Sequence, residues 1–475
     1  MSISRRNMLK SGLAVSTAFG ALHLLSGCKI APPFKSPLEI VSDPDGLLDL
    51  PRGFTYKILS STGDPMSDGL ATPGAPDGMG AFTTNNPDIV RVIRNHEIDQ
   101  WHLAQENNQY STISAFGESY KLAEGFDLTM AYDEKSPGAP YPGGCSALDV
   151  NIKTLAVVHS ELKLAGTATN CAGGITPWGS WLTCEETIQK AGKDANKDHG
   201  YVFEVPSAAT GLVKPVALKD MGRFVHEAAA VDDKSGSVYL TEDKRKTACL
   251  YRFIPNTPGV LAKGGQLQAL VITGSPDKSL LNWSENDHVT IGDKMLVEWV
   301  DLDNPESPDG DLADRAHAKG AANFTRLEGI WAGDGEIFFV STEGGQTKDG
   351  QVWRYVPSPY EGSVRESEAP GHLSLYIEPN DKNILHSIDN ITIAPWGDIF
   401  LCEDAYEADN KENRIHRVSK DGSISMFASH NKTYMGAISE LTGACFSPDG
   451  STLFVNIQLP GYTLAIQGPW MALSH

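Results

Sequence analysis

The chain has 475 residues, ample material for a large core, and its 46 glycines and 28 prolines suit many short strands and turns. Its formal net charge of −21 excludes nucleic acid as a partner, because phosphates would meet repulsion and no basic stripe answers them. The acids recur at fixed places rather than in runs, which points to bound cations that neutralise part of the charge.

The N-terminus reads as an address rather than structure. Residues 4–10, with Arg5 and Arg6 and with Met8 where Phe is usual, resemble a twin-arginine export signal, and an apolar stretch follows over 12–25. Residues 25–28 fit a lipobox, in which Cys28 takes the lipid and becomes the mature N-terminus. Removal of 1–28 takes away Arg5, Arg6 and Lys10 but no acid, leaving a charge of −24. The expected destination is the periplasm or a lipid-anchored position on its membrane. No other run is long enough to span a bilayer, so a lipid at Cys28 is the one membrane contact expected. Residues 29–50 are Pro-rich and read as a tether, and 51–475 as a single, monomeric domain.

From Thr55 on, the same unit recurs six times: an apolar strand pattern running into a polar end, at 91–97, 179–186, 236–243, 335–343, 397–404 and 451–458. Most of these ends have a second polar position upstream. Cys171 precedes Glu186 by 15 residues, Glu227 precedes Asp243 by 16, Glu328 precedes Glu343 by 15, and Asp389 precedes Asp404 by 15. Between the two positions lie two apolar runs joined by a Gly-containing turn, which predicts a β-hairpin with both polar groups at one end. The ends are spaced by 89, 57, 100, 61 and 54 residues, against about 40–50 for a four-stranded propeller blade. An all-β, six-bladed β-propeller with loop and helix insertions follows, the insertions falling at 100–140 and 285–325, with a helix near Ala313–Ala322. A pair of β-sandwiches is the competing fold, but it leaves the acidic ends unexplained.

Hairpins repeated around an axis would bring the acids to one mouth. Glu97, Glu185, Glu186, Glu227, Glu242, Asp243, Glu328, Glu343, Asp389, Glu403, Asp404 and Glu440 form the candidate pool. Strand alternation sends neighbours to opposite faces, so only one of each adjacent pair is expected at the axis. Hard cations such as calcium take six to eight oxygen ligands. With Cys28 set aside, six cysteines remain, a number that permits disulfides, but no CxxC or zinc-type spacing occurs. Cys184, Cys402 and Cys445 sit in apolar strands and read as buried thiols, whereas Cys171 lies in a turn beside the acids, where a thiolate suits iron or zinc. Arg326, two residues before Glu328, suits bidentate capture of a phosphate, or a salt bridge to its neighbour. There is no GxSxG elbow, P-loop or strand-borne GxGxxG, and metal-assisted hydrolysis needs none of them.

Residues 170–186, from Asn170-Cys171-Ala172-Gly173-Gly174 to Cys184-Glu185-Glu186, resemble the signature of the PhoX-type alkaline phosphatases. Four further blocks agree in order: 222–243, 328–345, 389–404 and 443–470. The resemblance implies a six-bladed propeller that hydrolyses phosphomonoesters outside the cytoplasm with calcium (Ca2+) and ferric iron (Fe3+), a cysteine thiolate on iron. By that resemblance Cys171 falls on the cysteine, Glu227 and Glu328 on cluster carboxylates, and Arg326 on the phosphate-contacting arginine. Glu97, Glu186, Glu343, Asp389 and Glu403 are assigned as ligands from the hairpin argument and their place in matching blocks. The chain departs from the pattern at 143–146, where Cys145 stands in place of an expected hydroxyl residue, in its short length, and at its sixth strand end, which carries no acid.

Three functions compete on the sequence. The first is a phosphomonoesterase acting through a metal cluster. The second is a calcium propeller that opens lactones or cleaves phosphotriesters, which needs no thiolate. The third is a non-catalytic, calcium-stabilised propeller lipoprotein.

Overall fold

The computed structural model describes residues 38–98, 113–116, 126–285, 288–406, 410–434 and 436–473. The residues read as an export signal, Cys28, the first part of the segment read as a tether and most of 100–140 lie outside the described residues. No described helix is long and apolar enough to cross a membrane.

The fold is all-β and propeller-like, and its strands are antiparallel throughout. In chain order the main strands are β1 (Thr55–Ser61), β2 (Pro76–Thr83), β3 (Ile89–His96), β4 (Gly143–Asn151), β5 (Ala156–Thr167), β6 (Asn170–Ile175), β7 (Ser180–Glu185) and β8 (Val202–Pro206). Next come β9 (His226–Val231), β10 (Val238–Glu242), β11 (Leu250–Pro255), β12 (Gly265–Ile272) and β13 (Lys294–Asp301). After the short helix α1 (Leu312–His317) follow β14 (Leu327–Ala332), β15 (Ile337–Ser341), β16 (Gln351–Val356) and β17 (His372–Ile377). The chain ends with β18 (Ile388–Ile393), β19 (Ile399–Glu403), β20 (Asn413–Val418), β21 (Ile424–His430), β22 (Leu441–Phe446), β23 (Thr452–Ile457) and β24 (Tyr462–Gln467).

The expected hairpins are present. They are β2–β3, β6–β7, β9–β10, β14–β15, β18–β19 and β22–β23. Five turn on a glycine (Gly179, Gly236, Gly335, Gly397 and Gly450) with φ between +71° and +95°, a region closed to most side chains. Neighbouring first strands touch in sequence, β2 to β6, β9, β14, β18 and β22, and β22 touches β2 again. The ring is closed by β1, which pairs with β24 in the last sheet (Thr55 opposite Gln467), so the two ends of the domain share one sheet.

Six separate blades were expected. Among the described residues, beside three two-stranded ribbons, the sheets are instead four of three or four strands and one of nine. The nine-stranded sheet arises because β13, from the 285–325 insertion region, pairs with β12 on one side and β17 on the other. An outer edge strand leaves unpaired N–H and C=O groups, and β13 satisfies two such edges at once. The helix predicted near Ala313–Ala322 is shorter, ending before Gly320 at φ +92°.

The core lies between the sheets as apolar layers. Leu182, Cys184 and Val202 meet Ala229, Val231, Val238 and Leu240, and Phe338, Val340 and Val352 meet Ile391, Ile399 and Leu401. Each Val, Leu, Ile or Phe side chain among them contributes about 1.5–3 kcal/mol when fully buried. The segment read as a tether is docked from residue 40 on. Ile40–Val41 pairs with Leu50–Pro51, and Leu47, Leu48 and Leu50 are buried in the cluster that holds Phe427 and Trp470. Those three leucines explain why it does not hang free. Near the axis the strands approach so closely that a Cβ on Gly174 would lie 1.9 Å from the Ala229 carbonyl oxygen, and one on Gly78 2.6 Å from the Ala172 Cα.

Candidate metal centre

All six hairpins end alike at one end of the ring. The first strand of each carries a break in register just inside its start, between Pro76 and Met79, Asn170 and Gly173, His226 and Ala229, Leu327 and Ile330, Ile388 and Ile391, and Thr442 and Cys445. A bulge sets two residues against one and re-aims the side chain it displaces. In five hairpins the first displaced residue is Asp77, Cys171, Glu227, Glu328 or Asp389. In the sixth, Thr442 stands at the corresponding position and its hydroxyl donates to the Pro76 carbonyl.

A second ring comes from the residue just past the last ladder pair of the second strand: Glu97, Glu186, Asp243, Thr342, Asp404 and Gln458. Their N–H groups donate to the carbonyls of Ala75, Thr169, Val225, Arg326, Ser387 and Glu440 at 2.8–3.3 Å. Four of those acceptors, Ala75, Thr169, Arg326 and Ser387, hold φ between +42° and +48°, a left-handed conformation that costs a non-glycine residue energy and is kept where the surroundings enforce it. Arg326 and Glu440 also send their side chains to the site, and so add a third layer.

The ligand-type atoms fall into five overlapping groups, each with its members within 4.8 Å of one another. They are Asp77–Glu97–Cys171, Cys171–Glu186–Glu227, Glu186–Asp243–Glu328, Glu227–Glu328–Asp389 and Asp389–Asp404–Glu440. Nine carboxylates and one thiol thus form a continuous row. Arg326 lies against it, its Nη2 2.7 Å from Glu328 Oε1 and its Nε 3.2 Å from Asp243 Oδ1.

This arrangement is costly without cations. Neither oxygen of the fully buried Glu227 has a hydrogen-bond partner, and Asp77 Oδ1 and Asp389 Oδ1 are in the same state. Burial, and after it repulsion between neighbouring acids, pushes Asp77, Glu186, Glu227 and Glu440 well above the usual carboxylate range. Glu328 is raised by burial and Asp243, against the pull of Arg326. The Cys171 thiol is raised by burial and then by Asp77 and Glu227. A buried charge with no partner is strongly unfavourable, so orphaned oxygens beside a thiol fit metal ions in both number and chemistry.

Of the residues expected at the site, Glu97, Cys171, Glu186, Glu227, Glu328 and Asp389 are brought together, with Arg326 beside them. Glu343 and Glu403 are not in these groups. Glu343 lies one residue past the ring position, which Thr342 occupies, and pairs with Arg245 at 2.7 Å. Glu403 lies one residue before it, facing away, and accepts from Arg414 and His416 at 2.7 and 2.8 Å. Burial raises its pKa, but the contacts with His416 and Arg414 outweigh this and lower it. Glu185, at the same place in the second hairpin, accepts from His199, Ala168 N–H and Gly200 N–H. Asp243, Asp404 and Glu440 were in the wider pool and do join the row. Asp77 was not recognised, because it precedes Glu97 by 20 residues rather than 15. The strands β2 and β3, eight residues each, make that hairpin longer, and the signal available was its place before Gly78 at a strand start. Among the described residues all six cysteines are free thiols and buried.

The family described as Alkaline phosphatase PhoX matches residues 37–461 of the chain. Among solved structures, Pseudomonas fluorescens PhoX in complex with vanadate, a transition state analogue, is similar at 18% identity over 91% of this chain and 97% of that one, with a TM-score of 0.62. A luciferin-regenerating enzyme matches at 9% identity over 88% and 96% of the two chains, with a TM-score of 0.40. A gluconolactonase from Xanthomonas campestris matches at 9% identity over 92% and 99%, with a TM-score of 0.35. No curated protein matches the chain in sequence.

The supports of the site carry a pH dependence. Burial disfavours the charged His199 ring, but Glu185 and Asp133, at 2.6 and 3.3 Å from its two nitrogens, overcome this and raise it from 6.5 to about 9. A raised histidine stabilises the fold fully below its unfolded pKa and loses that contribution as pH rises through the folded value. Stability should therefore fall from pH 6.5 to about 9. Denaturant titrations of His199→Gln should show a flatter profile over that window, and an unchanged slope would contradict the assignment.

Proposed function

This chain belongs to the PhoX alkaline phosphatase family and is a phosphomonoester hydrolase, and from that premise we propose that it acts through calcium and ferric ions held by the carboxylate row and the Cys171 thiolate, with Arg326 orienting the phosphate. The observation that carries this reading is Glu227. Its carboxylate is fully buried, has no hydrogen-bond partner, and is shared by the group that contains Cys171 and the group that contains Glu328. Oxygen ligands in this number suit calcium, and a thiolate among them draws the softer iron. Bound there, the ions supply Lewis-acid polarisation of a phosphoryl oxygen and a template for the attacking oxygen.

The chain's own residues do the rest. Asp77, Glu97, Glu186, Glu227, Glu328, Asp389, Asp404 and Glu440 hold the cations, and Asp243 divides its charge between them and Arg326. Asp243 and Glu328 fix the Arg326 guanidinium at the edge of the row, while a side-chain exposure of 22% leaves it within reach of an incoming anion. A planar guanidinium in that place binds two phosphate oxygens and offsets the charge that builds during transfer. The vanadate complex of the Pseudomonas fluorescens protein supports the same phosphoryl chemistry here.

We count six blades, the nine-stranded sheet being two blades joined edge to edge through β13. The six repeated bulges support that count. The Arg5–Arg6 pair and the lipobox support twin-arginine export, lipid attachment at Cys28 and action on phosphomonoesters in the periplasm or at its membrane.

Cys171→Ala should lose iron by elemental analysis and phosphatase activity together, and retention of both would remove the thiolate from the account. Arg326→Ala should keep its metals and lose about 100-fold in kcat/KM, whereas an unchanged kcat/KM would contradict its role. Mass spectrometry of the exported protein should find the N-terminus at Cys28 with a lipid adduct, and an unmodified, cleaved terminus would contradict the anchor.

A further inference from the structure

Asn95 is fully buried in β3, two residues before Glu97. Its amide reaches across to the neighbouring hairpin and donates both hydrogens to consecutive carbonyls of the bulge that carries the thiol, Cys171 O at 2.9 Å and Ala172 O at 2.8 Å. Its oxygen accepts from Trp181 Nε1 at 2.8 Å and from the Cys145 thiol at 3.1 Å. An indole N–H can only donate and carbonyls can only accept, so this amide has one possible orientation. Burial pushes Cys145 up to about 12, which keeps it a thiol able to donate. The same bulge meets β2 from the other side, where a Cβ on Gly78 would lie 2.6 Å from the Ala172 Cα and 3.0 Å from the Cys171 carbonyl oxygen.

The device occurs twice. In the sixth hairpin Asn456 stands two residues before Gln458, as Asn95 stands two before Glu97. Its amide donates to Asp77 O at 2.7 Å across the next junction, and its oxygen accepts from Thr463 at 2.6 Å. The corresponding positions in the other four hairpins hold Cys184, Thr241, Val340 and Cys402, none of which has an amide. The two asparagines therefore clamp the backbones of Asp77 and Cys171, two members of one ligand group.

We propose that Asn95, locked by Trp181 and Cys145, is a positioning residue that sets the direction of the Cys171 thiolate, with Asn456 doing the same for Asp77. The inference rests on the reading of Cys171 as an iron ligand. It also gives Cys145 a use, since the thiol at this otherwise unexplained position is the second donor that holds the amide. Groups behind a ligand that fix its orientation typically contribute about 10–100-fold in metal affinity or activity.

The test uses the full chain purified with its native metals, with the visible absorption of a thiolate on ferric iron, iron content, kcat and KM as readouts. Asn95→Asp keeps the shape but sets a carboxylate oxygen against two carbonyls. The expected result is a shifted or weakened band and a kcat lowered about 10–100-fold with KM little changed. Trp181→Phe, which removes one donor and keeps an aromatic ring, should move the band in the same direction if Asn95→Asp does not fold. Cys145→Ser should retain the wild-type band, because a hydroxyl donates in the same place. A wild-type band and kcat in folded Asn95→Asp, or in folded Trp181→Phe if Asn95→Asp does not fold, would overturn the inference even if melting is lowered, because that pattern is a packing role alone. Cys171→Ser is the control. If it abolishes the band while Asn95→Asp does not move it, the positioning role fails and the ligand stands. If Cys171→Ser also keeps the band, both fail.

Discussion

Repulsion among acids is the constraint around which this molecule is built. Nine carboxylates and a thiol lie in overlapping groups at one end of a ring of strands, with Arg326 against them, and five of the ten residues are buried. Burial withdraws those five from bulk water, and several of their oxygens have no protein donor. Such a row exists in charged form only with cations among its members, so metal binding and the integrity of this end of the fold are linked. The charge of −21 has a local explanation in this row, and so does the pairing of acids outside it: Glu185, Glu343 and Glu403 each have a cationic or histidine partner.

The frame answers that repulsion with repetition. Each bulge turns a side chain inward, and the next acid comes from the residue just past the ladder, tied by its N–H to a carbonyl two residues before the bulge position. Four of those carbonyl residues sit in a strained left-handed conformation, so the strain recurs around the mouth and is held by the sheets behind it. Glycine and alanine beside the bulges let the inner strands touch, and pairing of β1 with β24 removes the free edge at which the ring would open.

Much of this is legible in the sequence. Turn glycines and a 15-residue recurrence reveal hairpins because both are local requirements. The face of the last residue of a strand is not local. It depends on where the ladder stops, and an error of one position exchanges the axis for the outer side. That is why Glu343 and Glu403 read as ligands, while Thr342 and Asp404 stand at the ring. Asp77 escaped because its hairpin is longer than the others. The joining of two blades through β13 was hidden for a different reason, since it depends on an edge more than 70 residues further along the chain. Leu47, Leu48 and Leu50 did carry a signal for docking, outweighed by the prolines around them.

The central claim is that the bulged ring holds iron at Cys171 and calcium among the carboxylates. The most direct measurement is a crystal structure of protein exported with its native metals, with anomalous scattering collected on both sides of the iron absorption edge. The account predicts an iron peak within bonding distance of Cys171 Sγ, near Glu186 and Glu227, and further peaks without an iron edge beside Asp389, Asp404 and Glu440. A structure with metals elsewhere, or with Cys171 away from every peak, would contradict it.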